Sequence, residues 1–298
     1  MPTATLSYWR GREGSSVPAA PPTPVAFTLG PVAVSFTAVA PVVSGLGIPV
    51  NITLGPLAIP VTAVAPVVDT GSGLLVDLDG YWPLDESSGT RSDVVGTSHL
   101  TDINTVTSTA GKVGTAAVFV AADSEYLSVA HNAAVALGSG DMTIAAWAYL
   151  PSKTAAVQII VGKYGTNGEY ALYYDGASDR FRAFISVDGG GTTPWVTAST
   201  FGAPATSTWY FLLMDFTRAT MTVRIAVNGG ALDSHTGSGT PRTGETNAFA
   251  IGASGDSTFH LTGRVDEVGL WHRILTATER TNLFGGGAGV TWPFVGVP

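Results

Sequence analysis

The stretch YALYYDGASDRFRAFISVDG, which begins at Tyr170, sets the tightest limit on what this chain can fold into. Phe181, Ala183 and Ile185 fall on one side of an extended backbone, and Arg182, Phe184 and Ser186 fall on the other. That period of two is the signature of a half-buried strand. The dipeptides Asp175-Gly176 and Asp188-Gly189 bracket it, and Asn167-Gly168 and Asn228-Gly229 recur nearby. Such pairs tolerate the positive φ of tight hairpin turns. Further strand-like runs are expected at Ala117–Ala121, Tyr126–Val129, Met142–Leu150, Val157–Gly162, Tyr170–Tyr174, Arg180–Val187, Trp209–Phe216, Thr222–Val227, Ala248–Ile251 and Leu261–Trp271. Antiparallel strands in this number, with almost no helical periodicity, predict an all-β jelly-roll sandwich. One short helix is expected after Thr276, where TATER places a capping Thr three residues before a Glu.

Ahead of this body lies a strip of a different kind. No charged residue occurs from Gly14 to Val68. Within it, Ala26–Val43 and Asn51–Val68 are identical at 12 of 18 aligned positions. Prolines break the strip so often that no stretch reaches the roughly 20 apolar residues of a membrane-spanning helix. Read with period two, Val32, Val34 and Phe36 form a bulky face in the first copy, and Leu57, Ile59 and Val61 form one in the second. Each such side chain left in water forgoes about 1.5–3 kcal/mol, so these faces need a cover. They either extend the sheets of the body or dock on a sister subunit or another protein. The missing guard charges favour an assembly arm covered by a partner. The expected organisation is an extended Pro-rich lead-in (1–24), a duplicated β-strand assembly arm (25–70), the jelly roll (74–287) and an apolar tail (288–298). That tail holds Trp292, Phe294 and Val295, and either joins the same interface or covers the sandwich.

Charge narrows the partners. Residues 1–68 hold Arg10, Arg12 and Glu13, a net +1, so the formal net charge of −8 leaves −9 on the remainder. An acidic body repels phosphate backbones, and nucleic-acid binding is not expected. There is no cysteine, hence no disulfide and no thiolate chemistry. The opening MPTATLSYWRGREG lacks the basic-then-apolar order of a signal peptide. The expected location is therefore a virion assembled in a host cytoplasm, or otherwise an extracellular site reached without a signal peptide.

Several segments, in order, carry a resemblance. GYWPLDESSGTRSDVVG, AGKVGTAAVF, YLSVAHNAAVALGSGDMTIAAWAYL, IIVGKY, WYFLLMDF, VRIAVNGG, FAIGAS and LTGRVDEVGLWHRILTATE follow one another from Gly80 to Glu279. The body resembles the laminin-G-like jelly rolls of the concanavalin A-like lectin/glucanase superfamily, in the form carried by phage virion proteins. The resemblance implies a jelly roll and allows a lectin, an enzyme or a structural module, because the fold does not fix the function.

Superfamily glucanases carry a Glu-x-Asp-x-x-Glu strand, and no glutamate here starts that pattern. Asp266 and Glu267 are adjacent, so strand alternation expects them on opposite faces. His99, His131, His235, His260 and His272 match no metal spacing. Catalysis is not expected. The resemblance leaves a structural Ca²⁺ open, with the Asp85–Asp93 loop brought near Asp266. Asp85, Ser87 and Thr90 serve equally well as loop caps, so no metal ligands are assigned. For a surface glycan, the candidates are the aromatics Tyr164, Tyr173, Tyr174 and Trp195, with Asn167 and Asp175 in adjacent turns. Trp82, Trp147, Trp209 and Trp271 sit in apolar strand contexts and are expected in the core. The overall expectation is a non-enzymatic virion structural protein that forms homo-oligomers or binds other virion proteins. The alternatives are a lectin module of an adhesin and a filament subunit that donates a strand.

Overall fold

The computed structural model describes residues 73–166, 168–188 and 191–294. Its first six strands are β1 (Leu78–Trp82), β2 (Thr101–Ile103), β3 (Thr107–Ala110), β4 (Thr115–Phe119), β5 (Tyr126–Val129) and β6 (Met142–Tyr149). Then come β7 (Val157–Lys163), β8 (Tyr170–Asp175), β9 (Arg180–Ile185), β10 (Val187–Asp188), β11 (Trp195–Thr197) and β12 (Trp209–Thr217). The last are β13 (Thr222–Val227), β14 (Asp233–Thr236), β15 (Thr240–Pro241), β16 (Phe249–Ile251) and β17 (Gly263–Trp271), followed by helix α1 (Ala277–Phe284). They form an eight-stranded sheet, β14-β13-β12-β6-β17-β4-β3 with β1 also on β17, and a seven-stranded sheet, β11-β9-β8-β7-β16-β5-β2. The short pair β10–β15 stands apart. The described pairings are antiparallel, giving the expected jelly-roll sandwich.

Alternation along the strands explains how the layers close. Ile144, Ala146 and Ala148 of β6 and Leu212, Met214 and Phe216 of β12 point between the sheets, where they meet Leu172, Phe181, Ala183 and Ile185 of β8 and β9. The other faces of β6 and β12 carry Ala145, Trp147, Phe211 and Leu213 into a second apolar cluster with Leu74, Trp271, Leu283 and Phe294. The central strands of the eight-stranded sheet are thus buried on both sides, which is why IAAWAY and FLLM read as continuous apolar runs. Trp82 and Trp271 are fully buried, and each indole N–H is satisfied, on the Ser98 and Leu74 carbonyls at 2.8 and 2.7 Å. Trp147 is also buried, while Trp209 is only partly so.

Local signals place the ends of elements. Asn228 and Gly229 both take positive φ (54° and 66°), and Gly230 N–H donates to the Val227 carbonyl at 3.0 Å. This is the type I′ turn that an Asn-Gly dipeptide favours. Thr276 caps α1 and forms a full capping box with Glu279, as TATER predicts. Glu279 also receives two hydrogen bonds from the Arg273 guanidinium at 2.7 and 2.8 Å.

The tail covers the sandwich as far as it is described, because Trp292 and Phe294 pack on Tyr81 with ring centroids at 5.4 and 5.1 Å. Strand alternation, by contrast, fails at Asp266 and Glu267. A bulge interrupts the β17–β6 register, with Glu267 at φ 50°. Val265 and Val268 both point into the core between the sheets, so the two acids between them face the same, outer side. Residues 1–72 lie outside the described structure, and with them the interface candidates Val32, Val34, Phe36, Leu57, Ile59 and Val61. Asn167, Gly189 and Val295 lie outside it as well.

Candidate functional site

The seven-stranded sheet keeps one face open. Along β9, Phe181, Ala183 and Ile185 are buried while Arg180, Arg182 and Phe184 are only partly covered. The outward residues of β7, β8, β9 and β11, with the loop at Phe259, line a groove of about 470 Å³. Its walls are Val157, Ile159, Tyr164, Tyr173, Arg182, Phe184, Ser186, Thr193, Trp195 and Phe259. Five of these ten are aromatic, none is a carboxylate, and Arg182 is the one charged group among them.

The aromatics form a connected surface. Tyr164 meets Phe184 edge-on at 5.1 Å and Phe259 at 5.7 Å, and Tyr173 meets Phe184 at 6.1 Å. Trp195 stands opposite Phe184 across the β9–β11 ladder. It is 46% exposed, and Phe259 is 44% exposed. Rings held this way offer flat apolar faces beside the hydroxyls of Ser186, Thr193 and the two tyrosines. Sugar rings, with apolar C–H faces and hydroxyl edges, match such a surface.

The groove is held from beneath. A bulge in β7 between Ile159 and Val161 turns Ile159 outward, and its N–H donates to the Phe259 carbonyl at 3.0 Å. Gly255 N–H donates to the Tyr164 carbonyl at 2.7 Å. Directly below Tyr164, Lys163 and Glu169 form a fully buried ion pair at 2.9 Å. The Glu169 carboxylate also accepts from Leu137 N–H at 2.7 Å and Glu245 N–H at 2.9 Å, and Lys163 donates to the Glu245 carbonyl. Burial raises the Tyr173 phenol above its ordinary range, and the Arg182 guanidinium beside it pulls the other way.

Three of the four aromatics singled out in the sequence, Tyr164, Tyr173 and Trp195, come together in this groove. Tyr174 does not, which corrects the expectation. Adjacent strand residues face opposite ways, so with Tyr173 outward Tyr174 is buried in the core. Its hydroxyl donates to Asp179 at 2.9 Å, and burial with that bond pushes its pKa up to about 12. Asp175 is the second partner of the site, bound to Arg182 at 2.8 Å. Arg182 and Phe184 were legible as outward residues of β9, but nothing in the sequence marked Phe259 as a neighbour of Tyr164.

The acidic residues near Asp266 form a different arrangement. Asp93 accepts four backbone N–H groups, from Tyr81, Val95, Gly96 and Ser98, at 3.0–3.2 Å. Asp85 accepts from Thr115 N–H at 2.7 Å, and Asp266 accepts from Lys112 and Val113 N–H at 2.7 and 2.9 Å. Glu267 accepts from the Tyr81 hydroxyl. Burial pushes Asp266 up to about 7 and Glu267 up to about 8, and repulsion from Asp85 adds to both. One Asp266 oxygen has no hydrogen-bond partner. Among the described residues, no group of three or more His, Cys, Asp or Glu side chains is placed to hold a metal ion. A calcium ion needs six to eight oxygens, and here most of the carboxylate oxygens cap backbone amides. At this cluster the carboxylates serve mainly as caps for backbone amides.

Comparison with known proteins places the chain. A laminin-G family model, described as concanavalin A-like lectin/glucanases superfamily, matches residues 122–279, more than half of the sequence. The chain belongs to this superfamily. It is similar in structure to the binding domain of the Paraclostridial mosquitocidal protein 1, with a TM-score of 0.55 and 12% identity. It is also similar to the binding domain of botulinum neurotoxin DC solved in complex with SialylT, at 0.56 and 10%. The same botulinum domain solved with rat synaptotagmin II gives 0.54 and 10%. Each match covers 71% of this chain and 52% of the other, so the chain spans about half the length of these structures. At such identities the likeness shows the fold alone. No curated protein matches the sequence.

Proposed function

We propose that this is a non-enzymatic structural protein of a virion, a capsid decoration, head fibre or tail component. It displays a lectin-type domain whose aromatic groove binds a surface glycan. The observation that carries the glycan reading is the set of five aromatic side chains converging on the open face of the seven-stranded sheet, beside hydroxyls and without a carboxylate. The absence of an acid pair at the groove supports binding over hydrolysis, since glycosidases place two carboxylates across the scissile bond. Among the described residues, no helix is long and apolar enough to cross a membrane. The virion role rests on the duplicated uncharged strip, which suits attachment of the domain to a particle or to sister subunits.

A glycan array tests the glycan reading. The full chain is expected to bind a defined subset of sugars. Trp195→Ala is expected to weaken that binding about thirtyfold, the effect of losing roughly 2 kcal/mol from a central aromatic anchor. Equal binding by the variant and the parent would place the ligand elsewhere.

A further inference from the structure

The single charged residue of the groove is already spent. Arg182 donates through Nε to Thr197 Oγ1 at 3.0 Å and pairs through Nη1 with Asp175 at 2.8 Å. Its guanidinium lies over the Trp195 ring with 4.8 Å to the centroid. Asp175 is nearly buried and is itself fixed by the Ser178 hydroxyl at 2.6 Å. A guanidinium grips a carboxylate best through a parallel pair of free N–H groups. Here Nε and Nη1 are bonded to the protein, and Asp175 offsets the charge at contact distance. Trp195 is held on another side by His235, stacked at 5.9 Å and 26°. The arginine therefore braces the tryptophan and does not read a ligand's charge.

We infer that the groove selects uncharged glycans over acidic ones, with Arg182 as a positioning residue for Trp195 and Asp175 as the group that removes its charge from play. The inference rests on the glycan reading and adds the class of sugar. The apolar rings supply stacking, and the hydroxyls of Ser186 and Thr193 supply neutral hydrogen bonds. The one cation on the groove wall is already paired with Asp175, so a sugar carboxylate gains little to offset its desolvation.

The test uses matched neutral and acidic glycans, with lactose and sialyllactose as one pair, against the full chain. Neutral members are expected to bind at least about tenfold more tightly, with affinity nearly constant from low to high salt. Asp175→Asn keeps an acceptor for Nη1 and removes the countercharge. It is expected to gain affinity for the acidic members, and to lose that gain in high salt. Preference of the parent protein for acidic sugars, falling steeply with salt, would overturn the inference while leaving the glycan reading intact. That salt series needs no variant, so it decides the matter even if Asp175→Asn folds poorly. No binding by any sugar, neutral or acidic, would overturn the glycan reading and the inference with it.

Discussion

Replacing Lys163 by methionine is expected to cost about 3–5 kcal/mol of folding stability, the usual penalty for breaking a buried ion pair from one side. Both partners are fully buried. Without Lys163, the Glu169 carboxylate stays inside the protein with only the Leu137 and Glu245 amides to stabilise its charge. The pair also ties three segments together: the turn after β7, the stretch before β16 and the segment at Leu137. Domains of this kind are stable by only about 5–15 kcal/mol, so the loss removes a large part of the margin. Denaturant titration reads it as a lower midpoint with an unchanged slope. Lys163→Met with Glu169→Gln removes both charges and keeps one acceptor for the amides, and it is expected to recover much of the loss. A single variant within about 1 kcal/mol of the parent would show that the pair contributes no more than a surface contact. The same single variant loosens the base of Tyr164, so groove binding is expected to weaken with it.

Deleting residues 1–70 is expected to abolish assembly altogether and leave a folded, soluble monomer. The two apolar clusters of the described residues are built from residue 74 onward. The outer face of the eight-stranded sheet is covered by α1, the segment at Leu74 and the tail at Trp292 and Phe294. The body therefore carries its own core. The duplicated strip, by contrast, presents Val32, Val34, Phe36, Leu57, Ile59 and Val61 with no charge nearby in sequence. Burying several such residues at about 1.5–3 kcal/mol each is enough to hold a subunit on a particle or on its sisters. Sedimentation of full-length and truncated protein measures the outcome. An insoluble truncated body would show that the strip belongs to the core of the same domain, and an oligomer of unchanged size would show that assembly lies elsewhere.

Much of the fold is written in alternation and turns. Tyr126–Val129 and Thr222–Val227 coincide with observed strands, and the Asn228-Gly229 turn and the Thr276 cap form as their chemistry predicts. The edge strands β2 and β14 left no comparable signal, because TDI and DSHT hold almost no apolar residues to alternate with polar ones. The bulge at Asp266 and Glu267 was hidden for a related reason. Alternation assumes an unbroken ladder, and an extra residue in β17 reverses the assignment of Glu267. At the groove, β9 announced Arg182 and Phe184 as outward residues, yet aromatic character alone misled at Tyr174. Parity with Tyr173 allows only one of the two to face out. Phe259 reaches the groove through a loop contact with Ile159, a tertiary pairing that no local pattern encodes.

The central claim is that the open face of the seven-stranded sheet is the ligand site. A crystal structure of the full chain with the tightest-binding sugar from the array tests it most directly. The account predicts a sugar ring against Trp195 and Phe184, within reach of Ser186 or Thr193. A sugar seated on the loops at another edge of the sandwich, with this groove empty, would contradict it.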